Sequence, residues 1–410
     1  AKAPAILACE AEGIPFTVIP AKDMNVFEHA VLKIIRDQQI ELVALCGFMK
    51  LLSHDFISTC GIPILNIHPA LLPRFGGAGM YGMKVHEAVF ASSESHSGAT
   101  VHLVDPQYDH GKIIAQSRVA LSGLSNASEI AACVLRAEHE LYPRAIERYL
   151  LHPQARIAIG TLGCKTNFFE SASIFESFKD AVAVDFDSEA DIYIINSCTV
   201  TNRADYKSRN LIRKALAKKE LNPLIKIVVT GCFVQRSKEE IAALGDIDCI
   251  VDNQNKLDIA QILQGHERAW QDIMEAEDFV YRPVTNMLSH TRAFHKIQDG
   301  CDFYCAYCAV PYGRGHSRSA KFEDVIAQAE LFCQSGFKEI VLGGVNLGLY
   351  RDQGRDLVDV VKAMSEIEEL KLIRISSIEP QLLYPKMFAG LKDIPKLCPH
   401  FHIPLQSASD

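Results

Sequence analysis

The chain has no apolar stretch of spanning length, and no charged-then-apolar run opens it, so a helical membrane span is excluded and no membrane partner is expected. It has no excess of positive charge: the formal net charge is -8, so the whole-molecule field does not draw nucleic acid, and any RNA contact must come from a local basic surface. Low-complexity tracts and short-period repeats are also missing, which excludes solenoids and long disordered tails. Cysteine is not scarce. Thirteen of them, an odd number, are spread along 410 residues, a pattern of free thiols or metal ligands in a reduced, cytoplasmic protein rather than of a disulfide framework.

At this length, with 48% hydrophobic residues, two or three domains are expected. The chain starts at Ala1 rather than Met, inside a helical pattern (Ile6, Leu7, Cys9, Ala11) that runs through Gly13 into an expected strand over 15–19, and it reads as an internal piece. Residues 1–151 alternate apolar strands (41–46, 62–68, 99–104) with helices (84–91, 126–150), the pattern of a doubly wound α/β sheet. Pro143 is expected to kink the last helix. A second α/β unit, 155–264, has strands at 157–159, 192–196, 226–230 and 247–251 and a helix at 204–218. A polar, irregular segment, 265–292, connects it to a third unit, 293–410. There, strands at 295–298, 339–342 and 371–376 alternate with helices at 322–333 and 357–364, as in a barrel or half-barrel.

Six cysteines carry the chemistry. Cys301, Cys305 and Cys308 follow a strand at C-x3-C-x2-C spacing, and three thiolates from one loop can hold three irons of a 4Fe-4S cube, leaving the fourth iron open. The alternative is structural zinc, for which His316 is the only close fourth ligand. Cys164, Cys198 and Cys232 each stand at the end of an apolar strand, so a parallel sheet would bring them to one edge as a second metal site. The bland reading of any one of them is a buried thiol. A basic helix follows Cys198 (Arg203, Lys207, Arg209, Arg213, Lys214, Lys218, Lys219), either for nucleic-acid phosphates or as a solvated face, and Arg314 and Arg318 are further candidates for RNA backbone. In the first unit, Asn66 and His68 lie two apart on a strand and so share a face, and Asp109 lies in a loop between strands. Two donors for an oxyanion and a carboxylate for the amine proton would make an acyl-transfer site; a structural histidine is the plainer reading.

Two resemblances sharpen these readings. The stretches Leu162 to Asn167, Asn196 to Thr201, Thr230 to Cys232 and Gln298 to Pro311 resemble the tRNA methylthiotransferases, in the branch acting on N6-threonylcarbamoyladenosine beside the anticodon, over 155–410. This resemblance implies two 4Fe-4S clusters: an auxiliary one on Cys164, Cys198 and Cys232, and a radical one on Cys301, Cys305 and Cys308 that uses S-adenosylmethionine and an electron donor. It also implies Gly343, Gly344, Asn346 and Glu379 as cofactor neighbours, with Gln406 another. The product is a methylthio group on C2 of the adenine. The stretches 42–50, 65–73, 85–88, 97–105 and 138–143 resemble phosphoribosylglycinamide formyltransferase over 1–151, lacking the family's first strand and phosphate loop. There the resemblance implies Asn66, His68 and Asp109 as the catalytic set and Phe48, Met49 and Lys50 as lining for 10-formyltetrahydrofolate, with phosphoribosylglycinamide as acceptor. The expected whole is a transferase made of two fused, partial enzymes. The alternatives are a non-catalytic iron-sulfur or zinc protein, or a chain in which only formyl transfer is real.

Overall fold

The computed structural model describes residues 4–151, 154–288 and 290–405; Gln406 and the His152–Pro153 part of the join lie outside them. The chain divides into two compact units, Ala1–Pro153 and Gln154–Asp410.

The first unit runs α1 (Pro4–Glu12), α2 (Met24–Asp37), β1 (Val43–Leu45), α3 (His54–Cys60), β2 (Ile64–His68), α4 (Met83–Ala91), β3 (His96–Leu103), β4 (Ile113–Ala120) and α5 (Ala127–Leu151). Its sheet has the order β1-β2-β3-β4, parallel between β1 and β2 and antiparallel after that. The strand expected over 15–19 does not form: Ile14, Phe16 and Val18 are exposed and pair with no strand among the described residues, so a favourable side-chain pattern finds no ladder to join there. Helix α5 runs unbroken through Pro143, held to the sheet by the Tyr142 hydroxyl, which donates to the carbonyls of Leu45 (3.1 Å) and Leu65 (2.8 Å). Tertiary packing thus outweighs the helix bond that proline removes.

The second unit begins with β5 (Arg156–Thr161), α6 (Lys165–Glu176), β6 (Val182–Val184), β7 (Ile192–Ser197), α7 (Asn202–Leu221), β8 (Lys226–Gly231), α8 (Cys232–Arg236), α9 (Lys238–Ala242), β9 (Cys249–Ile250) and α10 (Ile259–Leu263). Its sheet is wholly parallel, in the order β6-β5-β7-β8-β9. Helices cover it, so Tyr193, Ile194 and Ile195 on β7 and Ile227, Val228 and Val229 on β8 are all buried, and these strands read as continuous apolar runs. The chain continues through β10 (Ala293–Lys296), β11 (Gln298–Asp299), α11 (Val310–Arg314), β12 (Arg318–Ser319), α12 (Phe322–Gln334), β13 (Glu339–Gly343), α13 (Leu357–Ser365), β14 (Leu372–Ile375) and α14 (Pro385–Leu391). Strands β10, β13 and β14 are parallel neighbours, with α12 and α13 as crossovers, an open part-barrel. The irregular 265–292 segment does more than connect: Val284 and Met287 are buried in the same core as Phe169 of α6 and Phe332 of α12. No described helix is long and apolar enough to cross a membrane.

Candidate functional site

In the first unit, the ends of β2 and β3 open into a cavity of about 650 Å³ lined by Asn66, His68, Asp109, the 45–52 segment and the face of α5 that carries Glu138. Phe48, Met49 and Lys50 are all on this wall. The two-residue spacing on β2 does place Asn66 and His68 toward one space. Asp109 sits in the β3–β4 loop at a left-handed φ of 58°, where it accepts from the Gly77 backbone N–H at 2.9 Å. His68 Nδ1 is 3.4 Å from Asp109 Oδ2, and His68 Nε2 is 2.8 Å from the Phe75 carbonyl.

The sequence reading missed a fourth member, His102. It stands opposite Asn66 in the β2–β3 register, its Nε2 lies 3.1 Å from Asn66 Nδ2, and that same nitrogen is 3.5 Å from Asp109 Oδ1. Its signal was period-2 placement: His102 follows Thr100 on the same face of β3, across from two residues already singled out. Burial pushes the His68 pKa down, only partly offset by Asp109, so the neutral imidazole is favoured. Burial pushes Asp109 up, but hydrogen bonding from His102 and the nearby His68 outweigh it, leaving the carboxyl below its usual range. A neutral donor beside an ionised carboxylate suits acyl transfer to an amine.

Glu138, also on the cavity wall, is pushed by burial up to about 7. Its folded-state value exceeds its ordinary one, so it stabilises the fold fully at low pH, and that contribution is lost as pH rises from about 4.5 through 7. Glu138→Gln should therefore leave stability unchanged at pH 4.5 and raise it at pH 8 by about 1 kcal/mol, the full value being reduced because the side chain is partly solvated. Thermal unfolding at the two pH values checks this; equal effects at both would contradict it.

In the second unit, the three isolated cysteines fall where the parallel sheet predicts. Cys164 caps the N-terminus of α6 just past β5, Cys198 directly follows β7, and Cys232 directly follows β8 and starts α8. Their loops are tied together by two side chains. Asn167 Nδ2 donates to the carbonyls of Leu162 (2.7 Å) and Ser197 (3.1 Å), while Ser197 Oγ donates to the Thr230 carbonyl at 2.5 Å. Gly163 has φ 95°, and a Cβ there would lie 2.7 Å from Cys198 Sγ, so only glycine lets the first loop close over the second. The thiols are within range of one another's charge, and Cys164 and Cys232 stand at the N-termini of α6 and α8, which favours anionic ligands.

The C-x3-C-x2-C loop lies between β11 and α11, with the Cys301 N–H donating to Gly315 O at 3.1 Å. Asn346, past the end of β13 and 2% exposed, is near enough to lower the Cys301 pKa, which burial has raised, yet neither polar atom of its carboxamide meets a partner of normal geometry. That orphaned amide suits a polar ligand beside the triplet. Glu379 is within electrostatic range of Tyr307 in the same loop. Gly343 and Gly344 close β13, but a Cβ on Gly344 would meet Leu347 Cδ2 at 2.8 Å and Gln298 Oε1 at 3.0 Å, so local packing already demands the second glycine. As the side chains stand, no three His, Cys, Asp or Glu among the described residues are placed to hold a metal ion. Three thiols per site, helix N-termini and an unpartnered amide nevertheless form a donor set that fits iron-sulfur clusters. His316 pairs with Asp302 at 2.9 Å.

Arg314 and Arg318 do not face RNA. They are 2% and 8% exposed and belong to a buried ion cluster in which Lys256, Lys296 and Arg314 surround Glu170, and Lys296, Arg314 and Arg318 surround Asp299. Their distribution in sequence looked basic and exposed; the carboxylates that pair them lie far away along the chain. On α7, too, Arg209 pairs with Glu240, Lys214 with Asp187 and Lys219 with Asp246 and Asp248, while Arg203, Lys207 and Arg213 are exposed. Glu170→Ala would leave Lys256 with no carboxylate and Lys296 and Arg314 with Asp299 as their one remaining partner, and should cost about 3 to 5 kcal/mol in denaturant unfolding; a loss under about 1 kcal/mol would contradict this pairing.

Comparison with known proteins matches residues 1–146 to the formyl transferase family, 156–252 to the uncharacterized protein family UPF0004 and 296–410 to the radical SAM superfamily. The chain joins a formyl transferase domain to a UPF0004 and radical SAM pair. Curated relatives of that pair include the threonylcarbamoyladenosine tRNA methylthiotransferases of Bacillus subtilis, 38% identical over 62% of this chain and 58% of the relative, and of Aquifex aeolicus, 36% identical over 62% and 64%. The chain thus spans about six-tenths of the length of these relatives. Solved structures similar to the formyl transferase domain include phosphoribosylglycinamide formyltransferases from Anaplasma phagocytophilum (30% identity, TM-score 0.34, 38% of this chain and 71% of that one) and Brucella melitensis (35%, 0.33, 36% and 74%). The cavity at Asn66, His68 and Asp109 lies in the formyl transferase domain. The strand-end cysteines lie in the UPF0004 domain, and the C-x3-C-x2-C loop in the radical SAM domain.

Proposed function

We propose that the UPF0004 and radical SAM domains form a tRNA methylthiotransferase that places a methylthio group on C2 of N6-threonylcarbamoyladenosine beside the anticodon. The formyl transferase domain, in the same reading, transfers a formyl group from 10-formyltetrahydrofolate to phosphoribosylglycinamide. The observation that carries the first part is the direct contact between the two cysteine-bearing regions: α11, which follows the Cys301–Cys308 loop, packs on the start of α8, where a Cβ on Gly313 would lie 3.1 Å from the Cys232 Cβ. Two iron-sulfur clusters, when bound with S-adenosylmethionine and fed by an electron donor, supply a carbon-centred radical and a sulfur source. The chain's own part is to hold both sites near one substrate base. Asn346 and Glu379 present polar groups beside the second triplet, and Arg203, Lys207 and Arg213 offer cations to the RNA backbone. The location of this chemistry is the cytoplasm, where charged tRNA and reduced thiols coexist.

In the first domain, Asn66 donates toward the carbonyl oxygen of a formyl group as negative charge develops there, His68 adds a second donor once its Nε2–H leaves the Phe75 carbonyl, and Asp109 takes up the proton of the attacking amine. His102 holds Asn66 by its amide and adds a second contact to Asp109. Mass spectrometry of tRNA nucleosides from cells lacking and then regaining the gene tests the main proposal. A methylthio adduct on threonylcarbamoyladenosine that disappears and returns with the gene supports it; an unchanged adduct level defeats it.

A further inference from the structure

The buried ion cluster between the UPF0004 and radical SAM domains is unbalanced. Four cations, Lys256, Lys296, Arg314 and Arg318, are linked by ion pairs to two carboxylates, Glu170 and Asp299, and all six side chains are almost wholly buried. An excess of two positive charges inside a protein is expensive unless an anion lies next to it. Asp278 lies within electrostatic range of Arg318; toward Arg314 and Lys256 the further anionic candidates in range are the three strand-end thiols. Arg314 is within electrostatic range of Cys164, Cys198 and Cys232, and Lys256 of Cys232. Arg314 is also mechanically tied to the site: its Nη2 donates to Asn167 Oδ1, on the side chain that clasps the first two cysteine loops, and the Cys164 thiol is 3.8 Å from that same oxygen. One residue earlier, the Gly313 carbonyl accepts from Asn253 Nδ2 at 2.5 Å, and Asn253 Oδ1 accepts from Lys256 Nζ at 2.8 Å, so the two cations are held in one hydrogen-bonded frame.

We propose that Arg314 and Lys256 are positioning residues whose surplus charge compensates an anionic iron-sulfur cluster on Cys164, Cys198 and Cys232 and raises its reduction potential. This rests on the reading of those cysteines as an auxiliary cluster site. A cube held by three thiolates carries a charge of about -1 when oxidised and about -2 after gaining one electron, with no bond made or broken. Buried cations therefore favour the reduced form more than the oxidised one. They also explain why the radical SAM domain, and not only the UPF0004 domain, contributes to the auxiliary site: Arg314 belongs to the segment just past the second triplet. The UPF0004 domain alone would hold the three thiols without their strongest counter-charge.

The test uses the full chain with Cys301, Cys305 and Cys308 replaced by alanine, reconstituted with iron and sulfide, so that any cluster seen is the auxiliary one. Iron content and a potentiometric titration with dithionite, followed by electron paramagnetic resonance, are then compared with those of the same protein carrying Lys256→Gln, Arg314→Gln or Arg314→Lys. Lys256→Gln and Arg314→Gln should make reduction at least tenfold harder, about 59 mV for a one-electron couple, while Arg314→Lys, which keeps the charge, should shift it by much less. If Arg314→Gln fails to fold, Lys256→Gln alone decides. A full complement of iron with an unmoved potential in Lys256→Gln overturns this inference and leaves the cluster reading intact. Absence of any cluster in the parent protein overturns both.

Discussion

Anaerobically reconstituted protein should bind about eight irons per chain, and Cys305→Ala should reduce that to about four while abolishing any methylthio product. The loop geometry leads to this expectation: three thiols within one short segment, with the Asn346 amide beside the first of them, have no substitute ligand among the neighbouring described residues except His316, which is already paired with Asp302. Cys198→Ala should likewise remove about four irons, but from the other site, leaving S-adenosylmethionine cleavage measurable under reducing conditions. The two variants thus separate radical generation from sulfur delivery. Zinc in place of iron, with no acid-labile sulfide, would contradict both expectations.

His68→Ala should lower formyl transfer to a glycinamide amine by roughly a hundred- to ten-thousand-fold, with little change in binding of 10-formyltetrahydrofolate. Asn66→Ala should cost roughly a hundred- to a thousand-fold, the loss of one preorganised donor to a developing oxyanion. The pH profile carries a second expectation. Burial holds the His68 pKa below its ordinary 6.5, so the neutral imidazole persists into mildly acidic solution and the acid limb of kcat/KM should lie below pH 6.5. Burial of His68 in the unit also means that stability falls as pH drops through 6.5, because the unfolded chain takes up a proton that the folded one resists. Steady-state kinetics on the full-length protein checks both; His68→Ala retaining more than a tenth of the activity would contradict the assigned role.

Much of this was legible in the residues alone because the signals were local. Parallel strands covered on both faces leave runs such as Ile192 to Ile195, and a cysteine at the end of each run emerges on one sheet edge whatever the helices between do. Spacing alone grouped Cys301, Cys305 and Cys308. The unread parts depended on distant partners. His102 joined the formyl-transfer set only through the β2–β3 register, 36 residues from Asn66. Arg314 looked like an RNA contact until folding brought Glu170, 144 residues away, to its guanidinium. The segment over 15–19 had a strand's composition but no partner strand, and no pattern within it could reveal that.

Spin–spin interaction between the two clusters tests the central claim most directly. Cys232 touches the α11 segment that follows the second triplet, so clusters on both triplets should be close enough to couple magnetically. Electron paramagnetic resonance of the fully reduced protein should show broadened, fast-relaxing signals that revert to simple spectra in both the Cys198→Ala and the Cys305→Ala variants. A wild-type spectrum equal to the plain sum of the two variants' spectra would mean the clusters do not share a working site, and the account of a radical meeting a sulfur donor in this chain would be wrong.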